Sequence, residues 1–281
     1  MRIQRFFSRS FVHFAVIAIA FLWTLPTVGV LVSSFRPEND VKTSGWWNAL
    51  KHPFEESVWT FKNYSDVINA NGIGEAFVNT LVVTIPATIL PITVAAFAAY
   101  AFAWMKFPGR DWLFAMVIGL MVVPLQVALI PILRLYTQTG IAGTFLGLWL
   151  AHTGFGLPLA IYLLYNYISQ LPGDLIESAK IDGASDFTAF MKIVLPLSTP
   201  AIASFAIFQF LWIWNDLLVS LVFLGTNKVL TVKLSELTGS LGNKWHLLTA
   251  GAFVSMVVPL AVFFALQRYF VRGLLAGSVK G

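Results

Sequence analysis

The sequence predicts an all-α integral membrane protein with six transmembrane helices. Two observations carry this. Of 281 residues, 58% are hydrophobic and 11% charged, whereas a water-soluble domain carries about a quarter charged residues. Six apolar stretches are each long enough to cross a hydrocarbon layer of ~30 Å, which takes roughly 20 helical residues. They are 11–33, 76–104, 112–134, 144–168, 199–224 and 247–271. Around them lie an outer loop 34–75, a cytoplasmic loop 169–198, a second outer loop 225–246 and a cytoplasmic tail 272–281, all in one transmembrane domain 1–281.

The first stretch, "FVHFAVIAIAFLWTLPTVGVLVSS", follows "MRIQRFFSRS" and superficially resembles a secretory signal. Its apolar run is longer than a signal core and has no small-x-small cleavage site, so a retained helix is expected. Lysine and arginine set the orientation. With the N-terminus inside, ten of the 18 basic residues are cytoplasmic, the flanks "RIQRFFSR", "MKFPGR" and "RYFVR" among them, while the outer loop 135–143 carries no charge. Both termini are therefore expected in the cytoplasm. The net charge of +5 belongs to these flanks rather than to a nucleic-acid surface. Absence of cysteine excludes disulfides and thiolate metal sites.

The outer loop 34–75 holds Trp46, Trp47 and Trp59, the turn sequences "RPEND" and "NANG", and six acids against four bases. Connectors of this length are uncommon without a task, so a lid or docking surface is expected, with a plain connector as the alternative. Span two contains "VAAFAAYAFAW". Small residues let helix backbones approach in lipid, where packing drives association, and this pattern marks a bundle interior. Pro86, Pro91, Pro124, Pro131, Pro158 and Pro259 fall inside spans, where each removes a backbone donor and can kink its helix. Gly143 and Gly147 have close-packing spacing. No inverted repeat of the secondary-transporter kind is visible.

The loop 169–198 reads as two short helices around a glycine. In "LPGDLIESAKIDGA", Asp174 suits an N-cap and Glu177 the reciprocal position of a capping box. Gly183 supplies a left-handed residue to end the helix. Ser185 caps a second helix, "DFTAFMKIVL", whose apolar face is Phe187, Phe190 and Met191 and which ends at Pro196. A helix about 12 Å long is not stable alone and needs a bundle or a partner to hold it.

"ESAKIDGA" followed by "IVLPLSTP" resembles the EAA loop of ABC importer permeases. Glu177, Ala179, Asp182, Gly183, Ala184, Ile193, Leu195, Pro196 and Pro200 stand where the pattern places them, and Ser178 replaces an alanine. The likeness runs through "SSFRP", "FKNYSDVI", "AAYAFAWMKFPGR", "MVVPLQVALIP", "WNDLL" and "QRYFVRGLLAGSVKG". Together these are similar to carbohydrate-uptake permeases of the second maltose permease type. The resemblance implies a type I ABC importer permease fold in a bacterial inner membrane. It implies a coupling helix docked on a soluble ATPase subunit, with Glu177, Ser178, Ala179, Asp182, Ala184 and Pro196 in the coupling element and Gly183 at its turn. ATP would close the ATPase dimer, move the coupling helices and switch the membrane helices from inward-open to outward-open.

The implied partners are a second homologous permease, two ATPase subunits, an extracytoplasmic sugar-binding protein and membrane lipid, with no nucleic acid. The chain has no GxxxxGK[ST] phosphate loop. It is thus expected not to be an enzyme and to bind no cofactor, with ATP and Mg held by the ATPase partner. The tail "AGSVKG" resembles the family tail that reaches the ATPase dimer, implicating Ser278, Val279 and Lys280; a frayed end is the alternative. "TSGWW" resembles permeases for α-glucosides, including glucosylglycerol or trehalose-type solutes. An importer of amino acids or phosphate fits the carbohydrate-type motifs less well.

Asp216 is the one acid well inside an expected span, where charge costs about 2.5–3.5 kcal/mol on insertion scales and marks a functional or paired site. With Gln209, Trp214 and Asn215 it offers the aromatic, amide and carboxylate groups of a sugar pathway; a structural role is the alternative. His13 and His152 stand alone at no metal-ligand spacing and are expected to be satisfied packing residues. A secondary transporter or channel working without an ATPase is the alternative class. It expects ionisable residues in several spans and leaves the EAA-like loop unexplained.

Overall fold

A computed structural model describes residues 2–238 and 244–276. Helix α1 (Arg2–Ser34) leads into α2 (Glu38–Thr43), the 3-10 turns Trp46–Lys51 and Glu56–Val58, α3 (Lys62–Ser65) and a π turn, Asp66–Ala70. Then come α4 (Ile73–Trp104), α5 (Arg110–Leu120), α6 (Leu125–Thr139), α7 (Phe145–Ile168) and α8 (Gly173–Ile181). A helix in three pieces follows: α9 (Asp186–Ala189), a π turn Phe190–Val194 and α10 (Leu195–Leu197). α11 (Thr199–Trp214), α12 (Leu218–Phe223), α13 (Leu230–Thr238) and α14 (Trp245–Ala276) complete the described residues.

Val12–Ser34 of α1, α4, α7 and Trp245–Gln267 of α14 are each long and apolar enough to cross a membrane. Two bent pairs pass the same test. α5 and α6 meet at 102°, and Asp186–Leu197 meets α11 at 71°. The stretch 112–134, expected as one span, is therefore broken. Proline disfavours helical backbone in the residue before it, and Pro124 starts α6 with extended torsions instead of kinking a continuous helix. The stretch 199–224 also divides, with α11 ending at Trp214 and α12 starting at Leu218.

The described residues form two compact units, those within 1–75 and 233–256, and those within 76–232 and 257–281. In the first, the outer segment is folded by buried polar groups. The Ser34 hydroxyl bonds to the carbonyl of Leu31 and to Tyr64 Oη, at 2.6 and 2.7 Å. Arg36, 2% exposed, donates to the carbonyls of Asp40 and Ser44 and to the Ser44 hydroxyl. The Asn63 amide donates to the carbonyls of Ser34 and Arg36. "SSFRP" is thus a folding element whose guanidinium satisfies carbonyls that would be costly to bury alone. Phe54, Phe61 and Trp47 stay exposed on this segment.

In the second unit the alanine-rich part of α4 is buried as expected. Ala95, Ala96, Ala99 and Tyr100 pack with Ala160, Ile161 and Leu164 of α7 and with Phe190 and Phe205. Small residues on α4 allow that approach. The Gly143–Gly147 pair works differently from a helix–helix motif. Gly143 precedes α7 at φ +78° and donates its N–H to the carbonyl of Phe223, while a Cβ on Gly147 would lie 2.5 Å from the Ile141 carbonyl oxygen.

Candidate functional site

The loop after α7 folds as α8, a glycine turn and α9, all within the second unit. α8 starts two residues earlier than the capping pattern implied. Pro172 is its N-cap, no side chain caps it, and Asp174 lies in its first turn. Proline fits a helix start because its missing N–H would be unpaired there anyway. Glu177 is therefore released from capping and is exposed, as are Ser178 and Asp182, while Ala179 and Ala184 are half-buried. The Ser178 hydroxyl donates to the carbonyl of Asp174. Ile176 alone on α8 is fully buried, packed with Ile168, Phe190 and Val194.

The C-terminal end of α8 agrees with the sequence. Gly183 has φ +83°, its N–H bonds to the Lys180 carbonyl at 3.0 Å, and the Ala184 N–H bonds to the Ala179 carbonyl at 2.9 Å. These are the paired bonds of a Schellman end, which needs a left-handed residue between them. A Cβ on Gly183 would meet nothing within 4 Å, so the glycine serves backbone conformation and not close packing. Ser185 caps α9 by accepting the Thr188 N–H at 3.2 Å. Phe190 is buried, and Phe187 stacks on Phe97 of α4 with ring centroids 6.4 Å apart. Pro196 is exposed in the last turn before the bend at Ser198.

α8 thus sits on the bundle by one buried isoleucine and shows an outer surface of Glu177, Ser178, Lys180, Ile181 and Asp182. Ile181 is 86% exposed. A charged and apolar face on a short helix, with its end fixed by a glycine turn, is suited to seating in a groove of another protein.

The other expected cluster divides. Asp216 acts as a helix cap. Its Oδ1 accepts the Val219 N–H at 3.1 Å, and Oδ2 accepts the Ser220 N–H and hydroxyl at 2.7 and 2.8 Å. The Thr231 hydroxyl donates to its carbonyl. Trp214 is buried edge-on to Phe77 and stacked on Phe210. Gln209 is buried against Gly156 with its amide nitrogen unpartnered. Only Asn215 is exposed, its amide donating to the Leu211 carbonyl at 2.8 Å. Three of the four residues expected along a solute pathway are therefore enclosed in this structure. The missed signal was cap chemistry: an Asn-Asp pair followed by Val219 and Ser220 interrupts an apolar run as an N-cap does.

His152 departs from the expected satisfied packing residue. It is fully buried with neither ring nitrogen hydrogen-bonded, its Nε2 3.6 Å from Asp216 Oδ2 and its ring edge-on to Trp212. Ser278, Val279 and Lys280 lie outside the described residues.

Helices long and apolar enough to cross a membrane, two of them as bent pairs, with a small helix–turn–helix carried between α7 and α11, define a polytopic membrane protein. Residues 76–275 match the family described as binding-protein-dependent transport system inner membrane component, and the chain belongs to it. It is thus a multi-pass inner-membrane protein of a binding-protein-dependent system. It is 60% identical to the osmoprotective compounds uptake permease protein GgtD of Synechocystis sp., over 99% of this chain and 95% of the relative. It is 45% identical to the alpha-glucoside transport system permease protein AglG of Rhizobium meliloti, over 96% and 97%. Its fold matches a chain of a bacterial ABC transporter that imports alginate, with a TM-score of 0.75 at 19% identity, covering 96% of this chain and 98% of that one.

Proposed function

We propose that this chain is one permease of an ATP-driven sugar importer, forming half of the translocation pathway and coupling it to ATPase subunits through α8. It pairs with a second homologous permease, sits on two ATPase subunits that bind ATP and Mg, and takes solute from an extracytoplasmic binding protein. ATP hydrolysis belongs to the partner subunits. The solute is an oligosaccharide, an α-glucoside or a related polyol glycoside. "TSGWW" and the relatives named for osmoprotective compounds and alpha-glucosides support that class. Both termini are cytoplasmic, which places α8 on the ATPase side and the outer segment 34–75 towards the binding protein.

One observation carries the coupling role. α8 leaves Glu177, Ser178 and Asp182 exposed, and its end is held by a glycine at φ +83°. In this account Glu177, Ser178, Ala179, Asp182 and Ala184 meet the ATPase, Gly183 sets the turn, and Pro196 ends the helix that returns to the bundle. Ser278, Val279 and Lys280 add a second contact to the ATPase. Asn215 is the pathway candidate left with an exposed side chain to meet a solute.

Affinity purification of the tagged chain from native membranes in mild detergent tests this assembly. A second permease and a P-loop ATPase recovered in comparable amounts support it. A preparation of this chain alone that transports in liposomes without ATP contradicts it and favours a secondary transporter.

A further inference from the structure

The turn at Gly183 is bridged by an ion pair, with Lys180 Nζ of α8 3.1 Å from Asp186 Oδ1 of α9. The same oxygen accepts a hydrogen bond from the hydroxyl of Tyr100, 3.4 Å away on α4 and 86 residues distant in sequence. One carboxylate oxygen of α9 therefore touches both α8 and α4.

Stability does not account for the arrangement. The two charged side chains are 46% and 44% exposed, and exposed pairs of this kind contribute little to folding. Position is the more informative property. α9 and the π turn that continues it are already clamped to α4 by aromatic packing: Phe187 of α9 stacks on Phe97, and Phe190 of the π turn lies 4.6 Å from Phe97 and 5.3 Å from Tyr100, ring centroid to centroid. α8 is held less firmly, by Ile176 and by a turn whose glycine has open space around it. Within the turn, Asp186 is the polar group that fastens α8 to the α9–α4 body.

We propose that Asp186 is a positioning residue that makes α8 and α4 move as one, so that displacement of α8 is delivered to the longest helix of the second unit. The proposal rests on α8 being the coupling element. With the latch removed, α8 tilts on the glycine turn without carrying α4. The ATPase still turns over, and uptake per ATP falls.

The test uses the whole importer in liposomes, with solute uptake and ATP hydrolysis measured on the same vesicles. Asp186→Ala and Tyr100→Phe are made singly and together. Each single change is expected to keep the ATPase subunits bound and to lower uptake per ATP by about fivefold, the factor carried by one net hydrogen bond. The double variant is expected to be no worse than Asp186→Ala, and Asp186→Glu to restore most of the ratio. An unchanged ratio in both single variants overturns the proposal. So does loss of the ATPase from Asp186→Ala with an unchanged ratio in Tyr100→Phe, because Asp186 then acts at the partner's surface. Normal transport by Gly183→Val identifies failure of the coupling role itself, separately from failure of the latch.

Discussion

Replacing Gly183 by valine separates a coupling defect from a folding defect. The residue sits at φ +83°, where a side chain with a Cβ costs about 1–2 kcal/mol and a β-branched one is a genuine outlier. No steric term is added, because a Cβ there meets nothing within 4 Å. If the backbone instead leaves the left-handed region, the bonds from Gly183 to Lys180 and from Ala184 to Ala179 are lost, at about 1 kcal/mol each. Either route costs roughly 1–3 kcal/mol, well below the 5–15 kcal/mol that hold a typical fold. The protein should therefore insert and accumulate normally while the turn departs from its native geometry by a factor of about 5–150 in population. In reconstituted complexes, uptake by Gly183→Val should fall at least about fivefold. Gly183→Asn should retain most of it, since asparagine tolerates the left-handed region. Wild-type uptake by Gly183→Val would refute the argument that this turn geometry is used in transport.

Three further outcomes are expected. Asp216→Ala should lower thermal stability in detergent by about 1–2 kcal/mol, as loss of a helix cap does, while leaving the solute concentration for half-maximal uptake unchanged. A shift in that concentration would instead mark a solute contact. Gly147→Ala should lower folded yield and melting temperature, because its Cβ would lie 2.5 Å from the Ile141 carbonyl oxygen, and overpacking of this sort costs about 1–3 kcal/mol. Glu38 in the outer segment has its carboxyl held below the usual value of 4.5, first by the hydrogen bond from Lys42 and then by the charge of His246. A lowered folded-state value contributes stability that is present above 4.5 and lost as pH falls through the depressed value. Proteolysis of segment 34–75 should therefore begin at a higher pH in Lys42→Met than in the wild type.

Much of the bundle was legible because lipid-spanning helices and alanine-rich interiors follow from composition and local pattern. The burial of Ala95, Ala96 and Ala99 and the positive φ of Gly183 are of this kind. Hydropathy is blind to where an apolar run breaks. Val122–Val123–Pro124 and Asn215–Asp216 lie in stretches as oily as their neighbours, and the breaks come from backbone rules and caps. The capping pattern at Asp174 misled for a related reason: Pro172 starts the helix before aspartate can cap it. Contacts such as Asp216 with His152, or Asp186 with Tyr100, join residues more than sixty positions apart, and no local pattern announces them. The polar core around Arg36 combined both cases, since "RPEND" reads as a turn while its bonds to Asn63 cross 27 residues.

The central claim is that the outer face of α8 seats on an ATPase subunit. The chain contains no cysteine, so Ser178→Cys supplies a single attachment point on this subunit, which can be labelled with a photoactivated crosslinker before the importer is assembled. The account predicts a crosslink from this position to the ATPase subunit, whose yield changes when ATP is added. No crosslink to the ATPase from Ser178→Cys, in a complex that still imports solute with ATP, would contradict it.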